Sequence, residues 1–278
     1  MIYESQLFLI LGSESKYILT MAMYDNEKTV RGSFDLNYVS EYLIQAQWAE
    51  FIELKKTIHE ISNRKGAPVS ILDIGIGNAR IPKHLSGIKE IWDRVAYYDG
   101  TDNAKACVDI SNDVIGELGI EDKVTAFFWD AKDLDKWDKK YDMVITTWFT
   151  AGNFYPDDFP FESYRGSGKR LDLTTNKKFT AIFRNAYGLL NAGGEIVIGA
   201  CYKDNDATRL KQEESYRKMG MTVITDEKDF FTATKDSFWS QRFTKEKLFS
   251  YLDFIPQDKF KFIDLDTYEY AMQVRIRK

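Results

Sequence analysis

The chain has 278 residues, of which 44% are hydrophobic and 29% are charged, and its formal net charge at pH 7 is -5. This length and hydrophobic content allow a full core in one large domain with insertions. The acidic balance gives no indication of a nucleic-acid partner. The two cysteines, Cys107 and Cys201, are far apart and only two histidines occur. We therefore expect a reducing compartment, no disulfide framework and no metal site.

The N-terminal sequence predicts neither a secretion signal nor a membrane anchor. The first lysine is Lys16, and the apolar run at residues 7–11 is too short to cross a bilayer. We expect a cytoplasmic protein that does not engage a membrane. Nothing in the sequence indicates an oligomeric state.

Hydrophobic spacing predicts a helix at 43–61, followed by a regular alternation of strands and helices. The apolar face of that first helix is predicted to carry Ile44, Trp48, Phe51, Ile58 and Ile61. The predicted strands are 69–74, 95–101, 124–129, 143–147, 195–200, 259–265 and 268–276. The predicted later helices lie near 80–91, at 104–118 and 176–190, and from Thr244 onward. This alternation is typical of an α/β fold with a doubly wound, mostly parallel, seven-stranded sheet.

Two long stretches, 151–172 and 203–241, interrupt the alternation. We expect them at the carboxyl ends of the strands, where open α/β sheets bind ligands, as helical or loop insertions that form a cap over the substrate. The layout is then a single domain. It has an N-terminal helical or lid segment at 1–66, a ligand-binding core at 67–202, and a C-terminal helix and strands at 242–278 that complete the sheet.

A glycine-containing turn directly follows the first predicted strand. It reads Asp73-Ile74-Gly75-Ile76-Gly77-Asn78-Ala79-Arg80. Glycine permits a sharp turn and a close approach of the backbone to a ligand, and the N-terminus of the next helix presents unpaired N–H groups. A dinucleotide-binding turn would have a third glycine where Arg80 stands. The sequence therefore does not favour a nicotinamide nucleotide.

The turn resembles the first motif of class I S-adenosylmethionine (SAM)-dependent methyltransferases, D/E-x-G-x-G-x-G. Asp73, Gly75 and Gly77 match it, and Ala79 replaces the last glycine. The resemblance implies a methyltransferase with SAM as cofactor. An acid in the turn suits the cationic amino group of SAM. Arg80 is a candidate for the methionine carboxylate, or else a solvated helix residue.

The end of the second strand supplies the acid that the family uses for the ribose hydroxyls. Asp102, followed by Asn103, stands 25 residues after Gly77, near the spacing expected for that acid. A carboxylate there accepts two hydrogen bonds from a cis-diol. Asp99 and Asp109 are alternatives, and Asp102 is favoured over both.

The third and later strands extend the resemblance over residues 69–200. Asp130 and Ala131 match the positions that meet adenine in the family, although a surface aspartate that caps a turn would look the same. The fourth strand ends at Thr147, which opens into the family's active site. Gly193 and Gly194 match its usual turn before the fifth strand.

The segment after the fourth strand is the predicted acceptor site. Trp148, Phe149 and Tyr155 form a hydrophobic or cation-binding wall, and Asn153 orients a polar group; packing of a lid is the alternative. The N/D-P-P-Y/F motif of DNA adenine methyltransferases is missing. We therefore expect a small-molecule acceptor, methylated on nitrogen or oxygen.

No catalytic base is assigned. The nearby residues able to take a proton or attract an amine are Asp157, Asp158, Glu162 and Tyr164, none of them within a recognisable motif. Three other functions share this architecture. They are an NAD(P)-dependent oxidoreductase, an aminopropyltransferase, and a non-catalytic protein that binds SAM.

Overall fold

The structure of the chain is a computed structural model that describes residues 41–157, 159, 164, 173–218, 220–235, 238–265 and 270–278. Of the predicted N-terminal segment it describes the part from Glu41 onward. Asp158 and Glu162, two of the candidate proton acceptors, lie outside the described residues, as does most of the first insertion.

A mostly parallel sheet forms the centre of the molecule. Its strands are β1 (Val69–Ile74), β2 (Val95–Asp102), β3 (Val124–Phe128), β4 (Tyr141–Thr146), β5 (Leu190–Lys203), β6 (Phe231–Ala233), β7 (Trp239–Phe243), β8 (Phe260–Asp264) and β9 (Ala271–Arg277). Parallel pairing gives the order β3-β2-β1-β4-β5. The antiparallel β9 pairs with β5 and then with β8. The predicted mostly parallel, doubly wound sheet is confirmed, and all seven predicted strands are present in it.

The prediction omitted a hairpin, and the sheet consequently has nine described strands instead of seven. The antiparallel strands β6 and β7 come from the second insertion and its exit. β7 joins the carboxyl end of β5 in parallel, through Tyr202 and Lys203. The pairing of β7 with β5 is only two residues long, and no alternating hydrophobic pattern in the sequence indicates it.

Seven helices are described, and those that pack on the sheet lie on both of its faces. They are α1 (Glu41–Lys65), α2 (Arg80–Ser86), α3 (Lys89–Trp92), α4 (Lys105–Leu118), α5 (Lys177–Leu189), α6 (Asp206–Lys218) and α7 (Lys245–Tyr251). Apolar residues of α1, α2 and α4 share one core with the sheet, and those of α5 and α7 share the other. The predicted helix at 80–91 is two helices, because Gly87 ends the first and Ile88 is extended.

The predicted apolar face of α1 is confirmed in part. Phe51, Ile58 and Ile61 are buried as predicted, whereas Trp48 is 52% exposed. The buried face also includes the polar residues Gln47 and Glu50, which hydrophobic spacing alone could not place there.

Both insertions meet at the carboxyl end of the sheet. Phe159 and Tyr164 of the first insertion, and Leu173 directly after it, pack against Phe231 and Trp239 of the hairpin. The rings of Phe231 and Trp239 stack with centroids 3.8 Å apart. The Tyr164 hydroxyl donates to Asp229 at 2.6 Å. These contacts form a small core separate from those of the sheet. In the described part of the chain, no helix combines the length and hydrophobicity needed to cross a bilayer.

Candidate functional site

The turn between β1 and α2 is tight because three of its residues have left-handed backbone conformations. Gly75, Gly77 and Ala79 have φ angles of 86°, 62° and 56°. The amides of Gly75 and Ile76 both donate to the carbonyl of Thr101, at 2.7 and 2.9 Å. The end of β2 therefore fixes the turn against the sheet.

Gly75 is also required by a contact that the sequence did not predict. A Cβ atom at this position would lie 2.7 Å from Cγ2 of Thr150, in the segment after β4. Real Cβ atoms do not approach other heavy atoms so closely. The missing side chain therefore lets the segment after β4 pack directly on the glycine turn.

Asp102 joins the glycine turn to the end of β2. Its Oδ2 accepts from the Gly77 amide at 3.1 Å, and its Oδ1 accepts from the Ala104 amide at 2.9 Å. Burial raises the pKa of Asp102 to about 6, although the hydrogen bonds from the two backbone amides favour the ionised form. A carboxylate so placed still has lone pairs for further donors.

The two alternatives to Asp102 are engaged elsewhere. Asp99 is buried and accepts from Lys139 at 2.8 Å and from the Tyr141 hydroxyl at 2.5 Å. Asp109 is exposed on α4 and pairs with Lys105 at 2.7 Å. Of the three, Asp102 contacts the glycine turn.

Asn103 and Asp130 lie in the same cleft, at the ends of β2 and β3. The cleft has a volume of about 360 Å³ and is lined by Asn103, Phe128, Trp129, Asp130, Asp133 and Lys136. Asp130 caps the turn Ala131–Lys136 by accepting from the Lys132 amide at 3.0 Å. Phe128, which is 62% exposed, and Trp129 give this cleft aromatic surface beside its polar side chains.

A buried group of charges lies behind the glycine turn. Asp73 is 1% exposed, and its Oδ2 accepts from the Tyr98 hydroxyl at 2.6 Å. Its Oδ1 has no hydrogen-bond partner among the described residues. Burial raises the pKa of Asp73 to about 7; Tyr98 and Arg80 oppose this rise, and the charges of Glu50 and Asp102 add to it.

Arg80 is paired with a residue that sequence reasoning missed. Its Nη2 donates to Oε2 of Glu50 at 2.9 Å, and its guanidinium lies 5.5 Å from the ring centroid of Trp148. Its Nη1 is buried without a partner in the described structure. The alternative that Arg80 is a solvated helix residue is therefore not observed. Glu50 gave no signal in the sequence beyond being a polar residue in an amphipathic helix.

The segment after β4 has a strained start. Trp148 and Phe149 are consecutive non-glycine residues with φ angles of 52° and 63°. The Phe149 amide donates to the carbonyl of Ala200 at 2.8 Å, and the carbonyl of Thr147 accepts from the Thr150 amide. Such conformations cost free energy and concentrate at functional sites.

The predicted acceptor residues separate into two groups. Phe149 is buried and stacks on Tyr202, with centroids 3.8 Å apart, so it packs behind the site. Trp148, Asn153 and Tyr155 are half-buried. Oδ1 of Asn153 has no partner among the described residues, and the ring centroids of Tyr155 and Trp239, on the β6–β7 hairpin, are 6.2 Å apart.

Gly199 on β5 gives a first testable prediction. A Cβ there would collide with Oε1 of Glu50 and lie 2.7 Å from the carbonyl oxygen of Thr146. We expect Gly199→Ala to lower the free energy of unfolding by about 1–3 kcal/mol, as overpacked cores do. The control is Gly188→Ala on α5, where nothing lies within 4 Å of the added atom. That variant should be neutral or slightly stabilising in urea denaturation; equal losses for both variants would contradict the prediction.

Comparison with solved structures defines the fold. The CcbJ methyltransferase of Streptomyces caelestis is 13% identical, with a TM-score of 0.58 over 94% of this chain and 99% of that one. The 1,6-didemethyltoxoflavin N1-methyltransferase of Burkholderia thailandensis is 12% identical, with a TM-score of 0.54 over 98% of this chain and 93% of that one. The magnesium protoporphyrin IX methyltransferase of Synechocystis is 12% identical, with a TM-score of 0.51 over 86% of this chain and 88% of that one. The chain has the class I methyltransferase fold.

No family model matches the sequence, and no curated protein matches it significantly. The class I fold is thus recognised from the backbone and from the short motifs of the core. The structures of the Burkholderia and Synechocystis enzymes contain S-adenosylhomocysteine (SAH). In the described part of this chain, no three His, Cys, Asp or Glu side chains converge as a metal site.

Proposed function

We propose that the protein is a SAM-dependent methyltransferase that methylates a small molecule, on nitrogen or oxygen. The observation that carries this proposal is the position of Asp102. Its carboxylate lies on the Gly77 amide, and the next residue, Asn103, lines the cleft that also contains Asp130. A carboxylate beside a cleft with an aromatic wall suits an adenosyl group: ribose hydroxyls on Asp102, adenine between Asn103 and Asp130.

The buried charges behind the glycine turn fit the other end of SAM. An α-amino acid presents a carboxylate and an ammonium group. The unpartnered Nη1 of Arg80 is a donor for the former, and the unpartnered Oδ1 of Asp73 is an acceptor for the latter. Both groups lie next to the glycine turn, Asp73 at the end of β1 and Arg80 at the start of α2, and the positive charge of Arg80 lowers the pKa of Asp73. Two complementary orphaned atoms near one turn support a zwitterionic ligand.

The chain's part in the reaction is to align the reactants and exclude water. SAM supplies an activated methyl group on a sulfonium, so the nucleophile needs an in-line approach more than it needs acid catalysis. Trp148 and the cap would exclude water from the space above the turn. We assign no base, because the two candidate proton acceptors that the structure describes have other partners: Asp157 pairs with Lys178, and the Tyr164 hydroxyl donates to Asp229.

The acceptor site is proposed to lie under the cap, between the segment after β4 and the β6–β7 hairpin. Asn153 carries an unpartnered oxygen there, and Trp148 and Tyr155 offer aromatic surface. The Burkholderia structure contains 1,6-didemethyltoxoflavin, a small-molecule substrate. This supports a small, planar or amine-bearing acceptor. We propose the insertions 151–172 and 203–241 as the substrate cap of a single domain.

Ligand titration followed by mass spectrometry tests the function. We expect calorimetry to detect SAH binding and no binding of NADH. With a library of small amines and hydroxylated aromatics, we expect products heavier by one methylene unit. An aminopropyl product from decarboxylated SAM would contradict methyl transfer. Binding of NADH without SAH would contradict the whole assignment.

A further inference from the structure

Glu50 is a completely buried carboxylate that connects four elements of the structure. It lies on α1 and is 0% exposed. Its Oε1 accepts from the amides of Trp148, at 2.9 Å, and Ala200, at 2.6 Å. Its Oε2 accepts from Arg80 on α2. A buried charge is costly unless its oxygens are satisfied, and here three donors satisfy them.

Two of the donors, Arg80 and the Trp148 amide, belong to the proposed site, and the third, the Ala200 amide, lies in the core directly behind it. Trp148 begins the strained turn after β4, and Ala200 accepts from the amide of the second strained residue, Phe149. Gly199 lacks the side chain that would displace the carboxylate. Glu50 therefore holds the strained turn from one side while it holds Arg80 from the other.

The ion pair uses only part of the guanidinium. Nη2 of Arg80 is engaged by Glu50, while Nη1 is left buried without a partner among the described residues. A pair that served stability alone would favour a bidentate contact, which engages both nitrogens. The observed geometry fixes the orientation of the guanidinium and leaves one donor for a ligand.

We propose that Glu50 is a positioning residue of the methyl-transfer site, which orients Arg80 and the Trp148–Phe149 turn for the carboxylate end of SAM. This inference rests on the proposed function. Glu50 itself does not touch the ligand, because its oxygens are occupied by protein donors. Its effect on binding passes through Arg80 and the turn.

A double-mutant cycle with SAH binding as the readout tests this role. We expect Glu50→Gln and Arg80→Met each to weaken SAH binding at least about tenfold, and the double variant to be within about twofold of the weaker single variant. Glu53→Gln, on the same helix, whose carboxylate pairs with Lys56, is the control and should bind like the wild type. Additive losses, or unchanged affinity in Glu50→Gln, would overturn the proposal.

The pH profile of binding separates positioning from a packing defect. The Asp73 carboxylate accepts from the Tyr98 hydroxyl, and the charges that act on its pKa are those of Arg80 on α2, Glu50 on α1 and Asp102 on β2. Because the Glu50 charge raises the pKa of Asp73, Glu50→Gln should move the acid limb of the binding profile to lower pH. A uniform loss of affinity without this movement would indicate a packing role only and would contradict the proposal.

Glu50→Asp covers the case in which the glutamine variant does not fold. It keeps the charge but is too short to reach all three donors, so we expect faster hydrogen exchange at the Trp148 amide and weaker SAH binding. Unchanged exchange and affinity would overturn the proposal.

A wild type that binds no SAH refutes the proposed function. A wild type that binds SAH, with Glu50 variants of equal affinity, refutes only the role of Glu50.

Discussion

Asp102→Ala should weaken SAH binding at least about tenfold, because it removes the carboxylate that we propose as the acceptor for two ribose hydroxyls. The same change frees the Gly77 amide, which Asp102 now holds at 3.1 Å. Both effects act on the cofactor side of the site. We therefore expect the KM for SAM to rise more than kcat falls. Isothermal titration calorimetry with SAH measures the first effect directly.

The control for this variant is Asp109→Ala. Asp109 was an alternative for the same role, but it is exposed and pairs with Lys105. Its removal should leave SAH affinity unchanged. Circular dichroism at the assay temperature establishes that both variants are folded. If Asp102→Ala bound SAH as tightly as the wild type, the ribose role would pass to Asp99 or Asp109.

Asp73→Asn should stabilise the free protein at pH 8 and weaken its binding of SAH. Burial raises the pKa of Asp73 from 3.8 to about 7, so the folded state binds a proton more tightly than the unfolded state. Ionised Asp73 thus destabilises the fold. This cost is absent below the unfolded pKa, grows as the pH rises, and is complete above about 7. Asp73→Asn removes this cost and should therefore add about 1–3 kcal/mol to the free energy of unfolding at pH 8.

The pH dependence of that gain distinguishes this cause from a general improvement in packing. Urea denaturation at pH 8 should show the stabilisation, and near pH 4 the variant and wild type should converge. SAH affinity of the wild type should fall as the pH drops through about 7, while the variant binds more weakly and with a flatter profile. Asp122→Asn, an exposed position, serves as the control. A gain that is equal at both pH values would contradict the assigned cause.

The sequence predicted the central sheet well because its strands follow simple rules. Val69–Ile74 is apolar enough to be buried on both faces, and its observed bounds equal the predicted ones. The glycine turn was recognisable since few residues tolerate positive φ there. The choice of Asp102 over Asp99 and Asp109 is supported by the contacts of each carboxylate, although its ribose role stays a prediction.

Features that depend on distant contacts could not be read from the sequence. Glu50 is 98 residues from Trp148 and 150 from Ala200, and nothing local marks their hydrogen bonds. Trp48, on the same helix, is exposed despite its hydrophobicity. Phe149 was predicted to line the acceptor site, but its ring is buried and stacks on the ring of Tyr202. The hairpin β6–β7 was missed because tertiary packing, not an alternating pattern, defines such short strands.

A crystal structure with SAH tests the account most directly, since it shows where the adenosyl group lies. We predict ribose hydroxyls within hydrogen-bond distance of the Asp102 carboxylate, adenine in the cleft between Asn103 and Asp130, and the amino-acid end near Asp73 and Arg80. SAH bound elsewhere on the chain, or a different nucleotide lying across the glycine turn, would contradict it.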